Sequence, residues 1–170
     1  MTGTALIPDY HQVVLLPREH GPVVIPEEFR DENGHMNVRH YYDLCLIAMD
    51  TVFQRLGITD DYRATRGHGF FTAEHHIKFF AETHVGQRVS VHFRNLERSD
   101  KVVHGIALLV NDTTERLACT LEVVAVHVDL DTRRTTPFAV DVAEPIDREI
   151  SITDAVDCAA PVCGAMGIRR

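Results

Sequence analysis

The sequence predicts an α+β fold that combines an antiparallel five-stranded sheet with one long, enclosed helix. Residues 38–56 indicate the helix, because their apolar side chains cover most of a helical circumference. The sheet is indicated by one strand-like segment before the helix and four after it, separated by short turn-forming stretches. At 170 residues, 45% hydrophobic and 25% charged, the chain has the size and composition of one globular domain.

The part of the chain before the helix is predicted to hold an arm and the first strand. We expect residues 1–20 to form an N-terminal arm, in which the apolar residues 13–16 are either a short strand or part of that arm. The first firm strand is predicted near residues 23–29. It lies at the start of a domain that we assign to residues 21–135.

Both ends of the predicted helix carry the expected capping chemistry. Asn37 can act as the N-cap, and Gly57 can take the C′ position after the last turn. The apolar residues are spread around the helix, which predicts contacts on several sides. These residues are Tyr41, Leu44, Cys45, Ile47, Ala48, Met49, Val52, Phe53 and Leu56.

The remaining strands follow a polar loop at residues 59–69. They are predicted at residues 70–80, 88–97, 102–110 and 116–129. From residue 136 to residue 170 the composition changes, with three prolines and weak periodicity. We expect this C-terminal extension to be either an arm packed on the domain or partly disordered.

Charge and hydropathy exclude several classes of protein. The formal net charge of −8 disfavours a nucleic-acid binder, which needs clustered Lys and Arg. No apolar run approaches the roughly 18 residues of a membrane span. Residues 1–10 lack the basic start and apolar centre of a signal peptide, so we expect a cytoplasmic protein that binds neither nucleic acid nor membrane.

The cysteines and histidines give no strong signal for a metal site. Cys45 and Cys119 lie in apolar segments that suit buried, reduced thiols, whereas Cys158 and Cys163 lack a second pair for a confident zinc site. Among the 11 histidines, neighbours on a strand such as His75 and His76 point to opposite faces. We therefore expect no metal and no disulfide.

The seven residues from Asp31 to Asn37 are the strongest functional feature. They read Asp-Glu-Asn-Gly-His-Met-Asn and place a carboxylate next to the start of the helix. The N-terminus of a helix has free N–H groups and a partial positive charge, which can polarise a carbonyl while the acid attacks it or activates water. This arrangement suggests a hydrolytic site. The alternative is that Asp31 and Asn37 only form a turn and a cap.

The motif Asp-x-x-Gly-His-Met-Asn, followed by Tyr41, a long helix and the strand Glu-His-His-Ile-Lys-Phe-Phe from Glu74, resembles a known family. It is similar to the hot-dog-fold acyl-CoA thioesterases of the 4-hydroxybenzoyl-CoA thioesterase type, over roughly residues 20–135. Within them it looks most like the short-chain thioesterases associated with carnitine and betaine breakdown. The resemblance implies a five-stranded sheet wrapped around one helix, dimers that join edge to edge, and a site at the dimer interface.

The resemblance also implies roles for residues of the loop. The position of Asp31 is that of the nucleophile or general base. Gly34 would allow a tight turn, so that the backbone N–H groups from His35 to Val38 converge on the thioester oxygen. Asn37 would cap the helix or bond the reacting group. His35 would act as acid or base, or only support the turn.

Three further residues are candidates for substrate binding. Tyr41 lies one turn into the helix and could line the acyl pocket, or it could pack in the core. Glu74 and His76 share one face of their strand, where Glu74 could orient water, neutralise a cationic acyl group, or form a surface ion pair with Lys78. For a quaternary ammonium group, the candidate side chains are Tyr41, Tyr42, Phe70, Phe71 and Glu74.

We therefore expect a thioester hydrolase that cleaves an acyl-CoA without a cofactor and assembles as a homodimer or a dimer of dimers, a homotetramer. A non-catalytic acyl-CoA binding or sensing module is the alternative, since fold does not fix function. A hydratase or dehydratase is disfavoured by the Asp-x-x-Gly loop. The cations available for CoA are Arg30, Arg39, Lys78, Arg88, Arg94, Arg98 and Lys101, and the sequence does not distinguish among them.

Overall fold

The computed structural model describes residues 6–168. The chain forms four α-helices and six strands within this range. In chain order they are α1 (Tyr10–Val13), β1 (Arg18–Val24), a single 3-10 turn (Glu27–Phe29), α2 (Val38–Arg55), α3 (Asp60–Arg66), β2 (His68–Phe79), β3 (Arg88–Arg98), β4 (Val102–Asn111), β5 (Arg116–Asp129), β6 (Arg134–Thr135) and α4 (Val140–Asp154).

The strands form one antiparallel sheet in the order β1-β3-β4-β5-β2, and the two-residue β6 pairs with the end of β5. The prediction of five main strands and one long helix is confirmed. The first strand lies earlier than predicted, at Arg18–Val24, and a 3-10 turn takes the end of the predicted segment. Proline is tolerated in β1 because this strand is at the edge of the sheet, where an N–H can be lost without breaking a central ladder.

The main core lies between α2 and the sheet face that we call the inner face, defined by Ala107 and Leu109 of β4 and by Leu121 and Val123 of β5. Cys45, Ala48 and Val52 of α2 are fully buried in this core. Helix α4 adds Val142 and Ile146 to the same cluster, next to β3. The predicted enclosure of α2 is therefore produced by the sheet together with α4. Within residues 6–168, no helix is long and apolar enough to cross a membrane.

The opposite face of the sheet, the outer face, is also covered. It is defined by Ile106, Leu108 and Val110 of β4, which pack against Val13 and Leu16 and against Cys158 in the segment after α4. Residues 13–16, of which Val13 and Leu16 are buried, are thus the end of α1 and the turn after it rather than a strand. Burial against the outer face stabilises this apolar stretch.

Besides the short α1, two longer helices were not predicted from the sequence. Helix α3 lies within the predicted polar loop, and it begins after Thr59, whose hydroxyl accepts the Tyr62 N–H, and ends at Gly67 with a φ of 64°. Helix α4 contains Pro145 and begins soon after Pro137, so prolines concealed it. The Arg94 guanidinium donates to the Asp154 carboxylate at the end of α4 and to the Cys158 carbonyl after it, which fixes this part of the chain onto the outer face.

Candidate active site

The Asp31 loop is a closed turn stabilised by its own backbone. The N–H groups of Asn33 and His35 donate to Asp31 Oδ1 at 2.8 and 3.0 Å, and the Asp31 N–H donates to the His35 carbonyl at 2.8 Å. Gly34 has a φ of 84°, a left-handed conformation that side chains with a Cβ rarely adopt. The loop therefore fixes the position of the Asp31 carboxylate.

The hydrogen bonds within the loop also keep Asp31 ionised. Partial desolvation acts to raise the pKa of Asp31, but the N–H groups of His35 and Asn33 outweigh it and hold the pKa below its ordinary value. A carboxylate in this state can act as a nucleophile or accept a proton at neutral pH.

The loop is attached to its surroundings on both sides. The Met36 N–H donates to the Thr83 carbonyl at 2.7 Å, and the Asn37 N–H donates to the Phe29 carbonyl at 2.7 Å. The Asn37 side chain accepts the Arg39 N–H at 3.1 Å and caps α2, as predicted. The Val38 N–H belongs to the first turn of α2, where backbone donors have no acceptor within the helix. This donor and the positive end of α2 can polarise a carbonyl.

An open pocket of about 250 Å³ lies next to Asp31. Met36, Val38 and Tyr41 line it from the loop and α2, and Phe79 lines it from the end of β2. The rings of Tyr41 and Phe79 meet edge to face, with centroids 5.3 Å apart. Burial raises the pKa of the Tyr41 hydroxyl. The pocket thus joins an ionised acid to a mainly apolar and aromatic wall.

Glu82 adds a second carboxylate to the rim of this pocket. Its Oε2 lies 3.1 Å from His35 Nε2 and 3.5 Å from His84 Nε2. These three side chains bring metal-ligand atoms within 4.8 Å of one another, so they could hold a metal ion. In the sequence, Glu82 lies between the predicted strand at residues 70–80 and the turn that begins at His84, and no pattern there indicates that either residue is close to Asp31.

The four predicted catalytic residues lie together in the loop: Asp31, Gly34, His35 and Asn37. Tyr41 lines the pocket next to them. Glu74 and His76 lie elsewhere. In β2, His75 faces α2 and bonds to the Tyr42 hydroxyl at 2.8 Å, whereas His76 is opposite Glu122 on the outer face.

Glu74 has the same parity as His76 and lies opposite Val124. The predicted alternation of faces along β2 is therefore correct, and it directs Glu74 and His76 away from Asp31. Phe79, Ala81 and Glu82 are the pocket residues that the sequence did not reveal.

The cations predicted for CoA differ in their availability. Arg30 and Asn33 line an open groove of about 620 Å³ beside the loop, and the Arg30 guanidinium is paired there with the exposed Glu27 carboxylate. Arg94 and Arg98 are engaged by Asp154 and Asp147. Arg116, which is not among the predicted cations, lines another open cavity of about 460 Å³ together with Glu82 and His84.

Known proteins are similar to this chain in both sequence and fold. Residues 25–146 match the family model described as the thioesterase-like superfamily. A betainyl-CoA thioesterase of Pseudomonas aeruginosa is 32% identical over 125 residues, which cover 73% of this chain and 77% of that protein. An L-carnitine dehydrogenase/betainyl-CoA thioesterase of Agrobacterium fabrum is 36% identical over 105 residues, covering 62% of this chain and 21% of that protein. The chain thus spans about a fifth of the length of this second relative.

Among solved structures, a Staphylococcus aureus protein determined in complex with CoA has a TM-score of 0.75 and is 21% identical, covering 97% of this chain and 99% of that one. At this identity the likeness establishes the fold. It confirms the expected hot-dog arrangement, an antiparallel sheet curled around a long helix.

Proposed function

The chain belongs to the thioesterase-like superfamily, and from that premise we propose that it hydrolyses the thioester bond of an acyl-CoA to a free acid and CoA. The observation that carries the proposal is the position of the ionised Asp31 carboxylate. Two backbone N–H groups of its own loop fix it, and it lies near the start of α2 and beside an apolar pocket. An acid, an electropositive helix end and a pocket are the parts that a metal-free acyl transfer to water requires.

In the proposed reaction, the thioester carbonyl lies over the first turn of α2. The Val38 N–H and the positive end of the helix stabilise the negative charge that develops on the carbonyl oxygen. Both backbone hydrogen bonds to the Asp31 side chain end on Oδ1, so Oδ2 is the oxygen that acts. Such oxyanion donors typically contribute about 10²–10³ in rate.

Asp31 can act by two routes. As a nucleophile, Oδ2 forms a bond to the carbonyl carbon, the carbon–sulfur bond breaks, and water then hydrolyses the anhydride. As a general base, Oδ2 takes a proton from water, the resulting hydroxide adds to the carbonyl carbon, and the departing sulfur is protonated as the carbon–sulfur bond breaks. A single turnover in labelled water separates them, because label enters the Asp31 carboxylate only by the first route.

A thiol-release assay over a panel of acyl-CoAs tests the function itself. We expect CoA to be released from at least one short or polar acyl-CoA by the metal-free protein. Binding of every acyl-CoA in the panel without release would contradict the hydrolase and support the acyl-CoA binding module.

We propose further that the acyl group is cationic. The relatives are named for betainyl-CoA, whose acyl group ends in a quaternary ammonium. Tyr41 and Phe79 present aromatic rings in the pocket and Glu82 a carboxylate at its rim, which is the chemistry that such a cation requires. A cation over an aromatic ring gains about 0.5–2 kcal/mol. In this assignment Glu82 takes the role first expected of Glu74.

The acyl specificity can be tested with betainyl-CoA and its uncharged analogue tert-butylacetyl-CoA. We expect kcat/KM to be higher for betainyl-CoA, and Glu82→Gln to lower it for that substrate while sparing the analogue. Glu74→Gln, on the outer face, is the matched control. A preference for the uncharged compound would contradict the proposal of a cationic acyl group, but it would not contradict thioester hydrolysis.

A further inference from the structure

A second cluster of polar side chains lies on the outer face of the sheet, on the side away from the pocket that Phe79 of β2 helps to line. His76 of β2 and Glu122 of β5 are opposite each other in register. The segment after α4 brings Cys163 over them, so that ligand atoms of these three residues lie within 4.8 Å of one another. We call His76, Glu122 and Cys163 the outer cluster.

Glu122 is the centre of the outer cluster. It is only 1% exposed, and a buried carboxylate needs partners that offset the loss of hydration. Its Oε1 lies 2.8 Å from His104 Nε2, and its Oε2 accepts the Cys163 N–H at 2.7 Å. His104 is itself only 5% exposed and its other ring nitrogen lies 3.4 Å from Glu97 Oε1. The carboxylate is therefore held in one orientation from two sides.

A backbone donor fixes the position of the Cys163 sulfur in the outer cluster. The Ala165 N–H donates to Cys163 Sγ at 3.4 Å, across a turn in which Gly164 has a φ of 77°. The sulfur thus lies beside the Glu122 carboxylate, within 4.8 Å of it. A cation between the sulfur and the carboxylate would satisfy both groups.

We propose that the outer cluster binds one divalent transition-metal ion of borderline softness, such as Zn²⁺, through His76, Glu122 and Cys163. Imidazole nitrogen, carboxylate oxygen and thiolate sulfur are the ligands that Zn²⁺ prefers, at about 2.0–2.3 Å. His104 positions Glu122 from behind, as residues around metal ligands commonly do. Water takes the fourth position. Binding releases the thiol proton of Cys163 to solvent.

Bond lengths of this size place ligand atoms about 3.5 Å apart, so the cluster contracts wherever its ligand atoms, which lie within 4.8 Å of one another, are farther apart than this. The contraction falls on Cys163, which lies in a segment without helix or strand, while His76 and Glu122 stay in register. The ion would fasten this segment, which also contacts Glu97 through the Ile168 N–H at 3.4 Å, to β2 and β5. The site is thus a structural metal site that holds the C-terminal segment on the sheet, and it does not depend on the proposed reaction.

Titration of the full, metal-stripped chain with Co²⁺ tests the proposal, because cobalt bound to thiolate gives a sulfur-to-metal charge-transfer band in the near ultraviolet. We expect the band to saturate at one equivalent per chain. It should be lost in Cys163→Ser and retained in Cys158→Ser, which removes the other cysteine of the same segment. His84→Gln, which removes a ligand from the cluster beside Asp31, should also retain it.

His76→Gln is the variant least able to disturb folding, since it leaves the buried Glu122 and His104 unchanged. We expect it to weaken cobalt binding at least about tenfold, and His104→Gln to weaken it about 10–100-fold as a positioning residue. Circular dichroism confirms that each variant is folded. Absence of the band in the wild-type chain, or its persistence in Cys163→Ser, would overturn the proposal.

Discussion

Asp31 combines two functions in one side chain, because the oxygen that closes the loop is separate from the oxygen proposed to react. Asp31→Asn keeps an acceptor for the Asn33 and His35 N–H groups, and asparagine forms such turns as well as aspartate does. We expect the variant to fold normally and to lose at least about 10²-fold in kcat, the lower range for removal of a positioned acid or base. Steady-state thiol release with the best substrate measures the loss.

The control for this substitution is Glu32→Gln, which removes the adjacent exposed carboxylate and should leave kcat within about twofold, as surface substitutions usually do. If Asp31→Asn retains the wild-type rate, the reacting group lies elsewhere in the pocket. If both variants lose activity, the loop depends on its overall charge and not on one carboxylate.

The depressed pKa of Asp31 predicts the acid side of the pH profile. Because its N–H partners hold the pKa below the ordinary value of about 3.9, the reactive carboxylate persists until the pH falls below that value. We expect kcat/KM to remain high through mildly acidic pH and to fall only below about pH 4. An acid limb well above this pH would show instead that a group other than Asp31 controls the rate.

At the scale of single residues, the sequence predicted the site residues that are close together in the chain. It did not predict those that only the fold brings together. Asp31, Gly34, His35 and Asn37 form one loop, so their spacing was sufficient. Glu82 lies in the connection between β2 and β3, which the Met36–Thr83 hydrogen bond holds next to the loop. Neither segment has a sequence pattern that indicates this hydrogen bond. The role predicted for Glu74 does not fit the structure for a different reason. The alternation of side chains along a strand shows which residues share a face, but it does not show which face the helix covers.

Among the elements, those with strong periodicity were predicted closely and those stabilised by tertiary contacts were not. Helix α2 and strands β3 to β5 match their predicted bounds to within one residue at each end. The short α1 and the proline-containing α4 have weak patterns of their own. They are stabilised by burying Val13 on the outer face and Ile146 on the inner face, and a sequence does not reveal such partners.

The start of α2 tests whether Asn37 is a cap, a contact to the substrate, or both. Its side chain accepts the Arg39 N–H, so Asn37→Ala should lower the free energy of unfolding by about 1 kcal/mol. Urea denaturation measures this change.

Asn37→Ser separates the two roles of Asn37, because serine caps a helix about as well as asparagine but is too short to reach the same substrate atoms. We expect it to restore both stability and activity. Recovery of stability without activity would assign Asn37 to the substrate.

For the molecule as a whole, the coverage of the two sheet faces determines where another chain can join. The inner face is covered by α2 and α4, and the outer face by α1 and the segment after α4. Strands β1 and β2 are the two ends of the sheet, and β2, the longer of them, ends at Phe79 beside the pocket. Phe79 is 44% exposed and Val38 is 57% exposed, which leaves apolar surface next to both the site and this edge.

An exposed strand edge with adjacent apolar surface predicts pairing with a second copy. We therefore expect a homodimer, or a dimer of dimers, joined through β2, with the partner covering Val38 and Phe79. Light scattering at micromolar concentration should give at least twice the single-chain mass of 19.2 kDa.

Ala73→Lys tests whether β2 forms the dimer. It adds a charge at an exposed position in β2, at the irregularity between Thr72 and Glu74, and should weaken the dimer because the same charge enters both copies. Ala64→Lys, at an exposed position of α3, is the matched control and should leave the mass unchanged. If the wild-type chain is a stable monomer with full activity, the site is complete within one chain. If Ala73→Lys remains dimeric, the partner binds at another surface.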